Sequence, residues 1–316
     1  MFNKKILMFP GQGSQYVGMC NFKGVSGAER IYECGSDILG YDLKTLINEG
    51  DETKLNNTEF AQPAIFAASL IALAAAKESG FLAEEYNAAA GHSLGEYAAL
   101  VCCGVLDIEN GFKVIKTRSR IMAKAGEKNP GAMAAVLGLN EEDIVQTLSE
   151  IEGVTPANYN APGQIVIAGT FDALDKAESA LKSKGAKRVV RLKTSAAFHT
   201  ELMREASIQF LREIQGVDFS PAKADFYSNV FADKLSDFSN IPGYLAKHIR
   251  SSVKFAQELE KIREDGYDTF IEIGPGKVLS GLAKKTLSNI SIFNVEDSAS
   301  LEKTVMGIKE IEGKLE

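Results

Sequence analysis

The sequence is poor in the residues that build metal sites and disulfide frameworks. Its 316 residues include no tryptophan, three histidines and four cysteines. The cysteines are Cys20, Cys34, Cys102 and Cys103, and they form no CxxC pair, which disfavours both a zinc site and a disulfide framework. We therefore expect reduced, mostly buried thiols in a reducing compartment, and no bound metal.

The chain also lacks an excess of positive charge and a long apolar run. Its formal net charge is -7 and its pI is near 5.3, whereas a nucleic-acid-binding domain usually carries a basic surface. The apolar run 6–9 is too short for a signal peptide. The longest uncharged apolar run, 63–76, is too short to cross a bilayer and predicts a buried helix with Pro63 in its first turn. We expect a cytoplasmic globular protein that binds neither nucleic acid nor membrane.

What the chain does contain is a repeated order of strand, glycine turn and helix. An apolar strand over residues 5–9 ends at a glycine-rich loop, and residues 87–90 lead into Gly91 and a helix that begins near Glu96. A later strand over residues 269–273 stops at a Gly-Pro-Gly turn before another helix. This alternation is typical of an α/β domain with a largely parallel sheet.

The middle of the chain has a different order of elements. Strands are predicted over residues 132–139, 154–159, 164–168 and 188–193, and helices over residues 141–151 and 171–184. Asn140 offers an N-cap to the first of these helices. The order β-α-β-β-α-β is that of a ferredoxin-like fold. We predict that residues 129–195 form a small ferredoxin-like subdomain, inserted into a catalytic domain made of residues 1–128 and 196–316.

The segment from Gly91 to Gly95 fits the G-x-S-x-G nucleophile elbow, with Ser93 as the candidate nucleophile. In an elbow, a sharp turn between a strand and a helix exposes the serine hydroxyl, and the predicted elements supply that context. The N–H groups at the start of the helix would also favour developing negative charge. The alternative is a tight turn with an incidental serine.

A serine hydroxyl needs a base to take its proton, and the chain offers three histidines. His92 adjoins Ser93 and would point in another direction, so it is expected to line the site. His199 lies in the apolar segment 195–200, where the predicted insert rejoins the main domain, and domain junctions often form clefts. His248 lies in a charged helical stretch that is typical of a surface. We favour His199 as the base over His248, although either could be structural. The sequence indicates no acidic residue as the third member of a catalytic triad.

An oxyanion hole needs two preorganised N–H donors. The backbone of Leu94, directly after the nucleophile, is one candidate. The glycine-rich loop around Gln12 could supply the other. A dinucleotide-binding role for this loop is excluded because Tyr16 stands where the third glycine of G-x-G-x-x-G is required.

One helix also carries a candidate site for an acidic substrate. Apolar residues between Ile108 and Met122 share a face, and Arg118 falls beside that face while Arg120 falls nearly opposite. An inward arginine must find a partner, and a planar guanidinium binds a carboxylate through two hydrogen bonds. Arg118 is therefore a candidate clamp for a carboxylate, the alternative being a structural salt bridge. Arg120 is expected to be solvated.

These motifs resemble those of the malonyl-CoA:acyl carrier protein transacylases over nearly the whole chain. The resemblance implies Ser93 as nucleophile, His199 as catalytic histidine, Arg118 as the ligand of the malonyl carboxylate, and the backbone N–H groups of Gln12 and Leu94 as oxyanion donors. It also implies that a backbone carbonyl orients the histidine, at the position of His248, where a glutamine is frequent. The matching segments are FPGQGSQ from Phe9, GHSLGEY from Gly91, Thr117-Arg118, GAMAA from Gly131, NAPGQ from Asn160, and EIGPGKVL from Glu272.

The same resemblance implies the fold and the partners. We expect an α/β-hydrolase-like core with a largely parallel sheet plus the inserted ferredoxin-like subdomain, in a monomer with no tightly bound cofactor. Malonyl-CoA is the expected substrate and acyl carrier protein the expected partner, in fatty acid biosynthesis. The alternatives are a free-standing polyketide acyltransferase, a serine hydrolase and a non-catalytic carrier-binding protein. Because carrier proteins are acidic, the basic run from Lys182 to Lys193 is a candidate docking surface.

Overall fold

A computed structural model of the chain describes residues 4–82, 86–194 and 196–313. Ser195, the last residue of the predicted insert, lies outside the described residues. So do residues 1–3, 83–85 and 314–316 of the predicted catalytic domain.

A six-stranded sheet forms the centre of the larger part of the molecule. Its strands are β1 (Lys4–Phe9), β2 (Ala88–Gly91), β7 (Asp225–Ser228), β8 (Asp233–Lys234), β9 (Tyr267–Ile273) and β10 (Ser291–Val295). They lie in the order β10-β9-β1-β2-β7-β8, and only the short edge strand β8 pairs antiparallel. The four residues from Ile6 to Phe9 are fully buried, as expected of a parallel strand covered on both faces. The prediction of a largely parallel sheet is confirmed.

The register of the two central strands determines what lies at the carboxyl edge of the sheet. Phe9 of β1 pairs with Gly91 of β2, so the glycine-rich loop after β1 and the elbow after β2 leave the sheet side by side. Asn229, which directly follows β7, leaves from the same edge. Ligands of open α/β sheets bind at this edge, because the loops that follow the strands meet there.

Helices cover the sheet. They are α1 (Ser26–Leu39), α2 (Leu43–Glu49), α3 (Glu52–Asn56), α4 (Thr58–Glu78), α5 (Gly95–Cys102), α6 (Ile108–Lys128), α9 (Arg204–Glu213), α10 (Ile241–Arg250), α11 (Phe255–Glu264), α12 (Val278–Thr286) and α13 (Ser298–Glu312), with a single 3₁₀ turn at Glu201–Met203. Cys20, Cys102 and Cys103 are buried, Cys34 is half-buried, and all four are free thiols.

Helix α4 differs from its prediction at its start. It begins at Thr58, where the side chain of Asn57 accepts a hydrogen bond from the Glu59 N–H, so Pro63 lies inside the helix and the first-turn placement was wrong. The cap adds five residues before Pro63. At 21 residues the helix is long and apolar enough to cross a membrane by length and composition alone, but 83% of its most apolar stretch is buried inside the protein. It is the central core helix of this domain.

The inserted segment contains its own sheet and core. Strands β3 (Ala132–Leu137), β4 (Val154–Ala161), β5 (Gln164–Gly169) and β6 (Arg188–Arg191) form an antiparallel sheet in the order β4-β5-β3-β6, with helices α7 (Glu141–Ser149) and α8 (Phe171–Ser183). This order, with two helices, is the ferredoxin-like topology, and the predicted fold class is confirmed. Asn140 caps α7 as predicted, its side chain accepting from the Asp143 N–H. The exact limits at residues 129 and 195 stay a prediction.

Strand β4 attaches the insert to the main domain. The N–H of Tyr159 donates to the carbonyl of Val253, and the N–H of Val253 donates to the carbonyl of Ala157. Val253 lies in the short connection between α10 and α11. The insert is therefore held against the same segment that carries His248 and Ser251, beside the carboxyl edge of the main sheet.

Candidate active site

Ser93 lies at a sharp turn of the backbone between β2 and α5. Its φ angle is 51°, in the left-handed region that non-glycine residues avoid. A Cβ atom on Gly91 would lie 2.1 Å from the carbonyl carbon of Gly95, and a Cβ on Gly95 would lie 2.0 Å from the carbonyl oxygen of Phe9. Neither position of the motif has room for a side chain, so both require glycine. Residues 91–95 have the strand, sharp turn and helix of a nucleophile elbow.

His199 comes from a distant part of the chain to meet this serine. Its Nε2 lies 2.7 Å from Ser93 Oγ, and its imidazole is buried, with only 4% exposed. Its φ angle is 61°, so both members of the pair occupy left-handed backbone. The other ring nitrogen, Nδ1, lies 3.0 Å from the carbonyl oxygen of Ser251 and 3.2 Å from that of His248. Carbonyls only accept, so Nδ1 carries the hydrogen and Nε2 is left to accept the serine proton.

The surroundings of His199 favour its neutral form. Burial, and then the positive charge of Arg118 and the proximity of His92, lower the pKa of His199 to about 3. A neutral imidazole is the form that acts as a general base. The two backbone carbonyls orient the ring, and their hydrogen bonds raise the pKa of His199 by less than burial and the neighbouring charges lower it.

Arg118 reaches the same hydroxyl from helix α6. Its side chain is 1% exposed; Nη2 donates to Ser93 Oγ at 3.1 Å and Nη1 donates to Gln62 Oε1 at 2.6 Å. Its guanidinium lies over the ring of Tyr97, 5.1 Å from the centroid. Among the described residues Arg118 forms no ion pair, and its Nε has no hydrogen-bond partner. A buried guanidinium with no ion pair among the described residues, beside a serine hydroxyl, could bind an anionic ligand.

The two candidate oxyanion donors lie on adjacent loops. A Cβ on Gly11 would come within 2.5 Å of the His92 carbonyl oxygen, so the loop that holds Gln12 contacts the elbow backbone to backbone. Within the described ranges, neither the N–H of Gln12 nor that of Leu94 has a hydrogen-bond acceptor. Both groups are available to a ligand atom.

A cavity of about 710 Å³ opens over His199, between the insert and the main domain. Residues 153–155 of the insert form one wall, and Ser251 and Ser252 contribute to the other. His199 is the residue that this cavity shares with the cluster around Ser93, and its volume lies within the range of about 300–1,000 Å³ that is common for ligand sites. The described residues contain no group of three or more His, Cys, Asp or Glu side chains arranged to hold a metal ion.

Three sequence expectations around the site need correction or completion. His248 was expected at the surface and is fully buried, because it lies four residues after Tyr244 on the inward face of α10, and its ring stacks on the Tyr244 ring. Arg120 was expected to be solvated, but it is half-buried and forms an ion pair with Glu213. His92 was expected to line the site; its Nε2 lies 2.8 Å from Asn160 Oδ1 of the insert, and its lining role stays a prediction.

Several residues at the site escaped the sequence analysis. Gln62 is fully buried beside Arg118, and a glutamine inside an apolar helix could have indicated a polar contact. Asn229 accepts a hydrogen bond from the Ser93 N–H, and its place after a parallel strand is the signal that could have found it. Ser251 contributes only its carbonyl oxygen, which no side-chain pattern reveals.

Comparison with known proteins gives a consistent result. Residues 6–310 match the family described as acyl transferase domain. The chain is 38% identical to the malonyl CoA-acyl carrier protein transacylase of Bacillus subtilis (strain 168), with 98% of each chain covered. It is 36% identical to the protein of the same name from Haemophilus influenzae, over 94% of this chain and 96% of that one.

Solved structures show the same similarity. The malonyl CoA-acyl carrier protein transacylase of Clostridium perfringens superposes with a TM-score of 0.92 at 37% identity, with 99% of each chain covered. A malonyl-transacylase solved in complex with its type II PKS acyl-carrier protein superposes with a TM-score of 0.91 at 35% identity, over 96% of this chain and 99% of that one. The likeness covers the larger domain and the insert together.

Proposed function

Because this chain belongs to the malonyl-CoA:acyl carrier protein transacylase family of acyltransferases, we propose that it moves a malonyl group from coenzyme A to the phosphopantetheine thiol of an acyl carrier protein. The observation that carries the proposal is the convergence of three side chains. The Oγ of Ser93 lies 2.7 Å from the Nε2 of His199 and 3.1 Å from the Nη2 of Arg118. A base and a carboxylate ligand thus meet at one nucleophile.

The first half of the reaction loads the enzyme. His199 takes the proton of Ser93 as Oγ attacks the thioester carbon, and the carbonyl oxygen becomes an oxyanion held by the N–H groups of Gln12 and Leu94. Collapse of this intermediate breaks the carbon–sulfur bond, and His199 returns the proton to the coenzyme A sulfur. The malonyl group is left as an ester on Ser93.

The second half repeats these steps with a new thiol. The phosphopantetheine thiol gives its proton to His199, its sulfur attacks the ester carbon, and the proton returns to Ser93 as the carbon–oxygen bond breaks. The carbonyls of Ser251 and His248 keep the imidazole in one tautomer through both halves. A neutral acceptor is sufficient here, because the imidazolium exists only between two proton transfers.

Arg118 supplies the selectivity in this proposal. The malonyl group carries a carboxylate beyond the reacting carbonyl, and the guanidinium lies close enough to Ser93 to bind that carboxylate while the thioester is attacked. The hydrogen bond from Arg118 to Gln62 holds the guanidinium plane in place. Burial strengthens the ion pair that a malonyl group would form and penalises an acyl group that leaves the cation unpaired.

The experiment that tests the function is a thioester assay with and without a phosphopantetheinylated carrier. We expect malonyl-CoA alone to load the enzyme once, and the carrier to restore turnover with malonyl-carrier as product. A serine hydrolase would turn over without the carrier and release malonate. A non-catalytic carrier-binding protein would form no ester. We propose a fatty-acid carrier as the partner, and a higher kcat/KM with a polyketide carrier would assign the protein to that pathway.

The docking surface for the carrier is a separate proposal. In the basic run from Lys182 to Lys193, Lys182 is paired with Glu178, and Arg191 with Asp175 and Glu178, whereas Lys187 and Arg188 are exposed. In the same assay, changing Lys187 and Arg188 together to glutamate should raise the KM for the acidic carrier and leave self-acylation unchanged.

The matched control for that assay changes Lys303 and Lys309, which are exposed on α13, together to glutamate. An unchanged carrier KM in the Lys187/Arg188 variant, or an equal rise in the Lys303/Lys309 control, would show that the carrier docks elsewhere.

The pH profile of acylation should reflect the buried imidazole. The pKa of His199 is lowered, so the neutral base is present at every pH above that lowered value. As pH falls from 7 to 5, kcat/KM for loading of Ser93 should stay nearly flat, whereas a histidine with pKa 6.5 would lose about 25-fold. Rapid-quench mass measurement of the acyl-enzyme gives the profile. A fall in kcat/KM at low pH with its midpoint near pH 6.5 would contradict this environment for His199.

We further propose that the protein acts as a monomer in the cytoplasm. On this proposal it uses no tightly bound cofactor and engages neither nucleic acid nor membrane. The acidic composition and the substrate chemistry support these points.

A further inference from the structure

The buried side-chain amide of Asn229 connects the backbone on the two sides of the nucleophile elbow. Asn229 is fully buried; its Nδ2 donates to the Gly91 carbonyl at 2.6 Å, and its Oδ1 accepts from the Ser93 N–H at 2.8 Å. A carboxamide is the side-chain group that donates and accepts from one rigid plane. It therefore matches the carbonyl on one side of the turn and the N–H on the other.

Two buried carboxyl groups hold this amide in turn. The backbone N–H of Asn229 donates to Glu96 Oε1 at 2.6 Å, and its Nδ2 also donates to Glu258 Oε2 at 2.7 Å. The Gly91 carbonyl, which only accepts, and the Ser93 N–H, which only donates, determine which way round the amide lies, and Glu258 accepts the second hydrogen of its NH₂ group. Tyr244 donates to Glu96 at 2.8 Å. Burial raises the pKa of Glu96 to about 8 and that of Glu258 well above its usual value, so this network carries little charge.

The turn needs such support. A left-handed φ is strained at a serine and persists only where the surroundings enforce it. The glycine contacts keep the strands close, but they do not prevent the peptide planes at Ser93 from rotating. The hydrogen bond that the Ser93 N–H donates to Asn229 Oδ1 prevents this rotation. It also occupies the Ser93 N–H, so the N–H groups that remain for the oxyanion are those of Leu94 and Gln12.

We propose that Asn229 is a positioning residue that fixes the nucleophile turn, and that Glu258 supports it by holding the NH₂ group in place. The inference rests on Ser93 being the nucleophile of the proposed function. Asn229 touches neither substrate nor the reacting atoms; it acts by holding Oγ in line with His199. Its loss should therefore lower the rate of acylation more than it weakens the binding of malonyl-CoA, whose carboxylate ligand is Arg118.

The substitution that tests this is Asn229→Asp, which keeps the shape but removes the NH₂ group that donates to the Gly91 carbonyl. We expect kcat for loading of Ser93 to fall about 100-fold, the size of effect that a small misplacement of a reacting group produces, with KM changed by less than about threefold. Thermal unfolding of each variant is measured alongside. Full activity in Asn229→Asp, or a loss that lies in KM, would overturn the proposal.

A donor–acceptor exchange makes the test independent of folding defects. In the double variant Asn229→Asp, Glu258→Gln, the glutamine amide can donate to the new carboxylate and hold it beside the Ser93 N–H, while the bond to the Gly91 carbonyl stays lost, so we expect a partial recovery of kcat over the single variant. Glu258→Gln alone is the matched control, since its own carbonyl oxygen can still accept from Asn229, and its kcat should stay within about threefold of the parent. Absence of recovery would refute the role of Glu258. If the parent itself forms no ester, the proposed function has failed instead.

Discussion

Replacing Ser93 by alanine is expected to abolish the covalent malonyl adduct and to lower transfer to the carrier by on the order of 10⁶-fold, as removal of the nucleophile does in serine hydrolases. The proposed reaction passes through an ester on this hydroxyl, and the neighbouring groups have nothing to activate without it. Intact-mass measurement after malonyl-CoA treatment detects the adduct directly. The buried guanidinium of Arg118 remains in the variant, so binding of malonyl-CoA should be retained.

Ser119→Ala is the matched control for this change. Ser119 is buried on α6 next to Arg118, and its hydroxyl donates to the Lys116 carbonyl, away from the elbow. We expect its adduct and its transfer rate to match those of the parent within about threefold, since a single neutral hydrogen bond contributes about 1 kcal/mol to stability. A malonyl adduct that persists in Ser93→Ala would place the nucleophile elsewhere in the chain and contradict the proposed mechanism.

Replacing Arg118 by alanine should change which acyl group the enzyme prefers. Loss of a buried, charge-paired contact costs about 3–5 kcal/mol, so kcat/KM for malonyl-CoA should fall by at least about 100-fold. The loss for acetyl-CoA should be far smaller, because an acetyl group offers no carboxylate to the guanidinium. The measurement is the ratio of the two kcat/KM values, which cancels any general effect on Ser93.

Arg120→Ala provides the control on the same helix. Arg120 is half-buried, and its ion pair with Glu213 lies away from Ser93. Such a surface pair contributes at most about 1 kcal/mol to stability, and the malonyl-to-acetyl ratio should not move. Equal losses for malonyl and acetyl transfer in Arg118→Ala would refute the carboxylate clamp and leave Arg118 a structural role.

Local patterns in the sequence predicted most of the fold. The elbow could be predicted because a strand, a glycine pair and a helix are consecutive in the chain. The register of β1 with β2 in the structure then brings the Gln12 loop beside it. The insert is readable for the same reason, since Asn140 and the turn at Gly163 separate elements with clear periods. Helical periodicity alone placed Arg118 on the inward face.

Contacts between segments that are distant in the chain could not be predicted from the sequence. His248 was judged by its charged neighbours Lys247 and Arg250, although its distance of four residues from Tyr244 predicts the same inward face. The partners of His199 are backbone carbonyls, which every residue possesses, so no residue type could indicate them. Asn229 is 136 positions from Ser93, and only the sheet brings them together.

Left-handed backbone at both Ser93 and His199 has a consequence for engineering this protein. Glycine at Ser93 would relieve about 1 kcal/mol or more of conformational strain and would delete the hydroxyl, whereas glycine at His199 would also leave a cavity and unpaired carbonyls. A library ranked by heat tolerance alone would thus enrich inactive protein at Ser93. Thermostable variants that still work must gain their stability elsewhere, and a screen that scores turnover alongside melting temperature is needed to keep them.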